Sequence, residues 1–386
     1  MDKPSTIYLD NNATTRLDAV ALDAMLPFLR ERFGNAGSGH HVGRPVASAV
    51  NAARRSLADR FGVKPANVVI CAGATEADNL ALQGALAARP DRRHLITSAV
   101  EHPAVLDCAR ELERTGRCEL TVIGVDSDGR FDLEALAAAL RPDTALVSVM
   151  GANNETGVLF PLDEIARRAR DVGAWIHVDA VQLVGKSATD LAILPADLIA
   201  LSAHKFHGPK GVGVLIVRDG IDVEPILHGG GQEKGRRPGT LNAPGVIGMA
   251  AALEQVAVHD PEALPRMESL RSHLESGLRT EIPELEISGA GAERVVNTTH
   301  LTVPGVEAEA LLIQLDRAGI CCSAGSACST GALEPSHVLT AMGIAKERLH
   351  GALRLSMSRE TTRADVDRVL EVLPAAVERL RQVTGR

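Results

Sequence analysis

SAHKFHGPKGVGVL, residues 202–215, closes the apolar run DLIALS (197–202) and leads into GVLIVR (213–218). Both runs are short and rich in β-branched and aliphatic residues. Four more precede them: VVICA (68–72), HLITSAV (94–100), ALVSVM (145–150) and WIHVDA (175–180). Helix-like segments alternate with these runs, as in LDEIARRARDVG (162–173), where Pro161 starts the segment and Gly173 follows its end. Alternation of this kind, with near-continuous apolar strands, predicts a mostly parallel sheet covered on both faces by helices. The fold class is therefore α/β.

The chain has 386 residues, more than one compact core usually holds, so two domains are expected. After GVIGMAAALEQVAVHD the pattern breaks at Pro261 and Pro265, which puts a boundary near Asp260. The expected division is a large domain over 15–260 and a small one made of 1–14 and 261–386. A formal charge of -8 offers no overall attraction to a phosphate backbone, so nucleic acid is not an expected partner. No run approaches the roughly 18 apolar residues of a membrane span. The start MDKPSTIYLDNNATT has neither a basic nor an apolar leader region, and a cytoplasmic location is expected. Six scattered cysteines in a chain this long do not make a disulfide framework.

In an open α/β sheet, ligands bind beyond the carboxyl ends of the strands, so the residues that follow each apolar run come first. VVICA is followed by GATEADN, a Gly turn into a helix whose first N–H groups and Thr75 hydroxyl could hold a phosphate or could form an ordinary cap. HLITSAV is followed by Glu101-His102-Pro103, ALVSVM by Asn153-Asn154-Glu155, and WIHV by Asp179 and Gln182. Singly, each reads as a solvated or capping loop residue. Taken together with Ser202, His204 and Lys205 they match what pyridoxal phosphate requires. That cofactor needs an amine for a Schiff base (Lys205), a carboxylate for its ring nitrogen (Asp179), phosphate donors (Thr75, Ser202, His204) and a planar group over the ring (His102). With one Trp, one Tyr and six Phe in the chain, an imidazole is the available planar group, and it also carries protons.

Competing signals are weaker. AVQLVGKS (180–187) nearly matches the nucleotide-binding loop G-x-x-x-x-G-K-[ST], but Ala180 replaces the first Gly and the interior is apolar. HGGGQEKGRRPGT (228–240) reads either as a solvated turn or as a phosphate-contacting loop. His40, His41, His102, His177, His204 and His207 come without an H-E-x-x-H or paired C-x-x-C pattern, so no intrinsic metal is expected. Near the C-terminus ALRLSMS (352–358) alternates as a half-buried strand with Arg354, Ser356 and Ser358 on one face. An inward Arg354 suits a substrate carboxylate, which guanidinium grips through two parallel hydrogen bonds.

With these residues assembled, the chain resembles the cysteine desulfurases of the NifS/IscS type, within the fold-type I pyridoxal-phosphate enzymes related to class V aminotransferases. The likeness runs through YLDNNATT, GNAGSGH, GATEADN, VEHPAV, ANNETG, HVDAVQ, SAHKFHGPKGVG, HGGGQEKGRRPGT, GSACSTGALEPSHVL and ALRLSMSR, nearly the whole length. It implies a seven-stranded, mostly parallel sheet with helices on both faces and a smaller α+β C-terminal domain. It implies a Schiff-base lysine at Lys205, a ring-stacking acid/base at His102, a pyridinium partner at Asp179 and a ring-hydroxyl contact from Gln182. Phosphate contacts fall on Thr75, Ser202 and His204, with Thr240 contributed across a homodimer interface. Asn154 and Arg354 hold the carboxylate of L-cysteine, and Cys328 accepts the sulfur. An iron–sulfur scaffold or another sulfur acceptor is the implied partner, and Cys328 would be at most a transient cluster ligand. Cys321 and Cys322 stand where the family usually has small residues, and PGTLNA (238–243) mixes features of the two branches.

CCSAGSACSTG (321–331) holds half of the cysteines. A bond between Cys321 and Cys322 would span Cα atoms about 3.8 Å apart, below the usual disulfide range that begins near 4.4 Å. A cluster would lack an evident fourth ligand. AEALLIQLDRAGI reads as a helix that leads into strand-like ICCSA, which makes Cys321 or Cys322 a small apolar filler. Cys328 sits instead among Gly325, Ser326, Ser329, Thr330 and Gly331, a setting suited to a mobile nucleophile. The expected reaction converts L-cysteine to L-alanine, with Lys205 moving the Cα proton and Cys328 taking the sulfur as a persulfide. An aminotransferase or lyase of the same fold, including a selenocysteine lyase, would share Lys205 and Asp179 without needing Cys328. A non-catalytic sulfur carrier would use the cysteines alone.

Overall fold

In the computed structural model, residues 6–258, 262–324 and 335–384 are described. Seven strands form the main sheet: β1 (Val68–Cys71), β2 (His94–Ser98), β3 (Glu119–Ile123), β4 (Thr144–Met150), β5 (Trp175–Asp179), β6 (Leu198–Ser202) and β7 (Gly213–Val217). Their order across the sheet is β1-β7-β6-β5-β4-β2-β3. Only β7 runs antiparallel to its neighbours, β1 and β6. The reason is local, because the link from Ser202 to Gly213 is too short for the crossover that a parallel pairing requires.

The apolar runs are continuous because side chains on both faces are covered. Ile199 and Leu201 of β6, with Val214 and Ile216 of β7, join one core that includes Val46, Leu57, Val246 and Met249 from the helices Gly43–Arg60 and Ala243–Val258. Leu198, Ala200, Leu215 and Val217 point to the other face. There they meet Leu80 and Val105 of the helices Ala74–Ala88 and Pro103–Arg114. The segment anticipated from Pro161 is a helix over Leu162–Asp171, and Gly173 follows it at φ +72°. That left-handed value suits glycine at the end of a helix. The edge strand β3 was not among the apolar runs, because only its last residue, Ile123, is buried and Val122 is exposed.

A second core gathers Ile7 and Leu9 with Leu274, Leu301, Leu311 and Val366. Its antiparallel sheet consists of Glu286–Ile287, Thr298–Thr302 and Ala352–Ser356. The helices Ala263–Glu281, Ala308–Arg317 and Arg363–Thr384 pack on that core, and Ile7–Tyr8 pairs in parallel with Ile320–Cys321. The strand Ala352–Ser356 has the anticipated alternation, with Leu353 and Leu355 in the second core and Arg354 on the other face. It is not half-buried, however. All five residues are buried, because the opposite face is closed by the N-terminal segment and by the Asn154 loop that follows β4. Among the described residues no helix is long and apolar enough to cross a membrane.

Candidate active site

The strand order reverses between β2 and β4, and the ends of these strands open the crevice in which such sheets bind ligands. His102 follows β2, Asn154 follows β4, Asp179 ends β5, and Ser202, His204 and Lys205 follow one another at the end of β6. The topology thus brings together residues that are up to 103 positions apart, from His102 to Lys205.

Lys205 Nζ donates to two main-chain carbonyls of the N-terminal turn, Asn12 O at 2.6 Å and Ala13 O at 3.0 Å. The Asn12 carbonyl also accepts from Gln182 Nε2 at 3.1 Å. Asp179 is buried and accepts the Val181 N–H at 3.0 Å. Burial pushes its carboxyl up, while the Val181 N–H, His102 and Lys205 pull it back toward the ionised form. His102 caps the helix Pro103–Arg114, with Nδ1 accepting the Ala104 N–H at 3.1 Å. In the neutral ring the proton is therefore on Nε2. Burial lowers the His102 pKa first, and Asp179 opposes that shift. The three groups act on one another electrostatically.

Ser202, at the end of β6, stands beside the start of the helix that carries Thr75. Ser202 and Cys71 both pair with Gly213, which brings β6, β7 and the start of the helix Ala74–Ala88 into one layer. A Cβ at Gly213 would lie 2.7 Å from Gly73 C and 2.8 Å from Gly73 Cα, so only glycine admits this approach. A Cβ on Gly73 itself would come 3.8 Å from Ser202 Oγ, so that hydroxyl stands beside the helix N-terminus. Thr75 lies in the first turn of the helix and is exposed. His204 Nδ1 is 3.1 Å from Thr14 Oγ1, and burial, helped by the neighbouring cations, lowers its pKa to about 4. An anion between Ser202, His204 and this helix end would meet N–H donors and a hydroxyl.

Arg354 is fully buried. It donates to the Asn154 carbonyl at 3.0 Å and pairs with Asp10 at 2.8 Å. Asp10 and Asn12 have no role in the sequence reading; Asn12 holds Lys205 through its main-chain carbonyl, while its side-chain Nδ2 donates to the Asn154 carbonyl at 3.1 Å and to Thr298 Oγ1 at 2.9 Å. Asn153 is structural: its side chain caps the N–H groups of Glu155 and Thr156 at 2.9 Å.

Thr240 is exposed in this single chain. Most of the stretch around it is exposed as well, but Glu233 is buried against Arg54 at 2.6 and 2.8 Å and accepts the Ile70 N–H at 2.9 Å. Arg237 grips Glu76 at 2.7 and 3.1 Å. Charge alternation in QEKGRR gave no hint of this inward carboxylate, whose backbone adopts φ +50°. The near match to a nucleotide loop, residues 180–187, is a series of turns with no helix after it, and its Lys186 is buried.

Cys328 lies outside the described residues. The chain on either side of that stretch is anchored at the crevice: Ser323 exchanges main-chain hydrogen bonds with Arg354 at 2.6 and 3.2 Å, and Ser336 Oγ donates to Glu155 at 2.6 Å. His337 Nε2 is 2.9 Å from the carbonyl of Glu101, the residue before His102. Cys322 packs partly buried on the second core and burial pushes its thiol up to about 12, whereas Cys321 is less buried and more weakly raised. Only Cys322 suits the filler role.

Residues 7–369 match the class-V aminotransferase family model. The chain is 48% identical over 380 residues to cysteine desulfurase 2 of Trichormus variabilis, covering 98% of this chain and 95% of that protein. It is likewise 48% identical over 379 residues to the cysteine desulfurase of Cereibacter sphaeroides, with 98% and 97% covered. Among solved structures, a NifS-like protein superposes with a TM-score of 0.89 at 36% identity, over 98% of this chain and 99% of that one.

Proposed function

This chain belongs to the class-V aminotransferase family, and from that premise we propose that it is a pyridoxal-phosphate-dependent cysteine desulfurase, converting L-cysteine to L-alanine with transfer of sulfur to Cys328. The observation that carries the reading is the convergence of Lys205, Asp179 and His102 at one crevice, with the chain on both sides of the Cys328 stretch anchored there.

The residues fit the cofactor. A buried carboxylate interacts with an amine and an imidazole, and the close approach of Gly73 and Gly213 sets the start of the helix Ala74–Ala88 beside Ser202. Lys205 would bind it covalently, Asp179 would hold a proton at its ring nitrogen, and Gln182 would donate to its ring hydroxyl. Ser202, His204 and Thr75 would hold its phosphate, with Thr240 reaching the phosphate of a second copy in a homodimer. When bound, pyridoxal phosphate supplies the electron sink that allows bonds at the substrate's α-carbon to break.

The protein's own groups then divide the work. Arg354, reinforced by Asn154, orients the substrate carboxylate, which must compete with Asp10 for the guanidinium. Lys205 Nζ would take the Cα proton and return one. A thiol has a pKa near 8.5, so Cys328 needs a base, and the His102 imidazole is the candidate acceptor. The Cys328 thiolate forms an S–S bond to the substrate sulfur as the C–S bond breaks. Atoms and electrons balance without an outside oxidant, since cysteine and one enzyme thiol give alanine and one persulfide. An iron–sulfur scaffold or another acceptor thiol would discharge it.

Peptide mass spectrometry after brief incubation of the cofactor-loaded protein with L-cysteine, without reductant, tests the reading. One extra sulfur on the Cys328 peptide, lost in C328S while the cofactor stays bound, is the expected result. No added sulfur anywhere, with amino transfer to a keto acid, would assign an aminotransferase instead.

A further inference from the structure

The near match to a nucleotide loop leaves one residue without a role. Lys186 is buried, and its Nζ donates to Gln182 Oε1. The Gln182 amide is held at both ends, because its Nε2 donates at 3.1 Å to the Asn12 carbonyl, the same oxygen that takes Lys205 Nζ at 2.6 Å. A flipped amide would set oxygen against the Asn12 carbonyl oxygen, a like-with-like contact in a buried place, and would give up the hydrogen bond from Lys186 Nζ. Asn12 takes one of the two Nε2 hydrogens, and the second remains for a ligand.

We propose that Lys186 is a positioning residue for the cofactor site, which fixes the Gln182 amide so that it meets the cofactor's ring hydroxyl as a hydrogen-bond donor. The inference rests on the reading of Gln182 as a cofactor contact. Burying an amine beside an amide, with Lys205 and Arg354 as the neighbouring charges, has no obvious use in packing alone. Burial and those two cations push the Lys186 amino group well below the usual lysine range, which an N–H donor to an amide oxygen tolerates. Lys186 also ties the two domains together at this point, since its carbonyl accepts the Val296 N–H at 2.9 Å.

The test is a pH titration of the absorbance of pyridoxal phosphate bound to Lys205, in the full-length protein and in K186M, Q182L and the double variant. A donor to the ring oxygen favours the form that has lost its imine proton, so losing it raises the midpoint. K186M and Q182L should each raise it by about one pH unit, a tenfold change in proton affinity. The double variant should move no further than Q182L, because Lys186 acts through Gln182. Thermal unfolding of the cofactor-free proteins separates this from a packing defect, which would lower the melting temperature and leave the midpoint alone. K186L carries the same expectation should K186M not fold. A shift in Q182L with none in K186M, or shifts that add in the double variant, would overturn the role of Lys186. An unmoved midpoint in Q182L would instead remove Gln182 from the cofactor, and the proposal with it.

Discussion

Replacing Gly213 by Ala places one methyl group at the point where three parts of the site meet. The new Cβ would lie 2.7 Å from Gly73 C, 2.8 Å from Gly73 Cα and closer still to the Leu201 carbonyl oxygen. Ordinary contact begins at 3.4 Å, so the backbones must part by about 0.7 Å on the Gly73 side. None of these atoms is the tip of a flexible side chain. Gly213 is paired with both Ser202 and Cys71, and relief therefore strains two ladders of the sheet at once. Overpacking of this kind costs about 1–3 kcal/mol, against which the alanine's stiffer unfolded chain returns about 0.4–1 kcal/mol. A net loss of about 1–2 kcal/mol is expected in urea denaturation of the cofactor-free protein. The same displacement moves the start of the helix Ala74–Ala88 away from Ser202. Losing one charge-assisted hydrogen bond to the phosphate should weaken pyridoxal phosphate binding about 10- to 100-fold, read by fluorescence or absorbance titration. Gly124→Ala is the control, because nothing lies within 4 Å of its Cβ position. If G213A were as stable as G124A and bound the cofactor as the parent does, the assignment of the cradle to Gly73, Gly213 and Ser202 would be refuted.

Two further outcomes follow from buried charge. E233A strips Arg54 of both carboxylate contacts and leaves the Ile70 N–H without its acceptor, so it should destabilise by about 3 kcal/mol in urea, and a loss below about 1 kcal/mol would contradict the clasp. Burial raises the Glu101 pKa to about 8, and its Oε1 accepts from Ser98 Oγ at 2.5 Å and the Met150 N–H at 3.0 Å. A carboxyl raised in the folded state adds stability that is full below its unfolded pKa and is lost as pH rises through the folded one. The window here runs from about 4.5 to about 8. Neutral His177 and His300, both lowered to about 3, act with the opposite sign below pH 6.5, so the reading is the difference between the parent and E101Q. That difference should fall by up to about 1.4 kcal/mol per pH unit across the window, and parallel profiles would refute it.

The apolar runs that end in His102, Asn154, Asp179 and Lys205 were legible in the sequence, because strands buried on both faces must be continuously apolar and their polar ends then stand out. The one strand overlooked, Glu119–Ile123, lies at the edge, where solvent removes that requirement. Motif likeness supplied the roles of Gln182 and Cys328, which spacing alone left open. What sequence could not disclose is which groups answer one another across the chain. Asn12 serves through a carbonyl that every residue possesses, Lys186 looked like half of a phosphate loop, and Glu233 looked like part of a solvated charge run. Asn12 and Glu233 acquired their partners only when the N-terminal turn met Lys205 after β6 and the 228–240 stretch met Arg54 and β1, and Lys186 turned to nearby Gln182 because burial leaves a polar atom no alternative to the neighbour it is packed against.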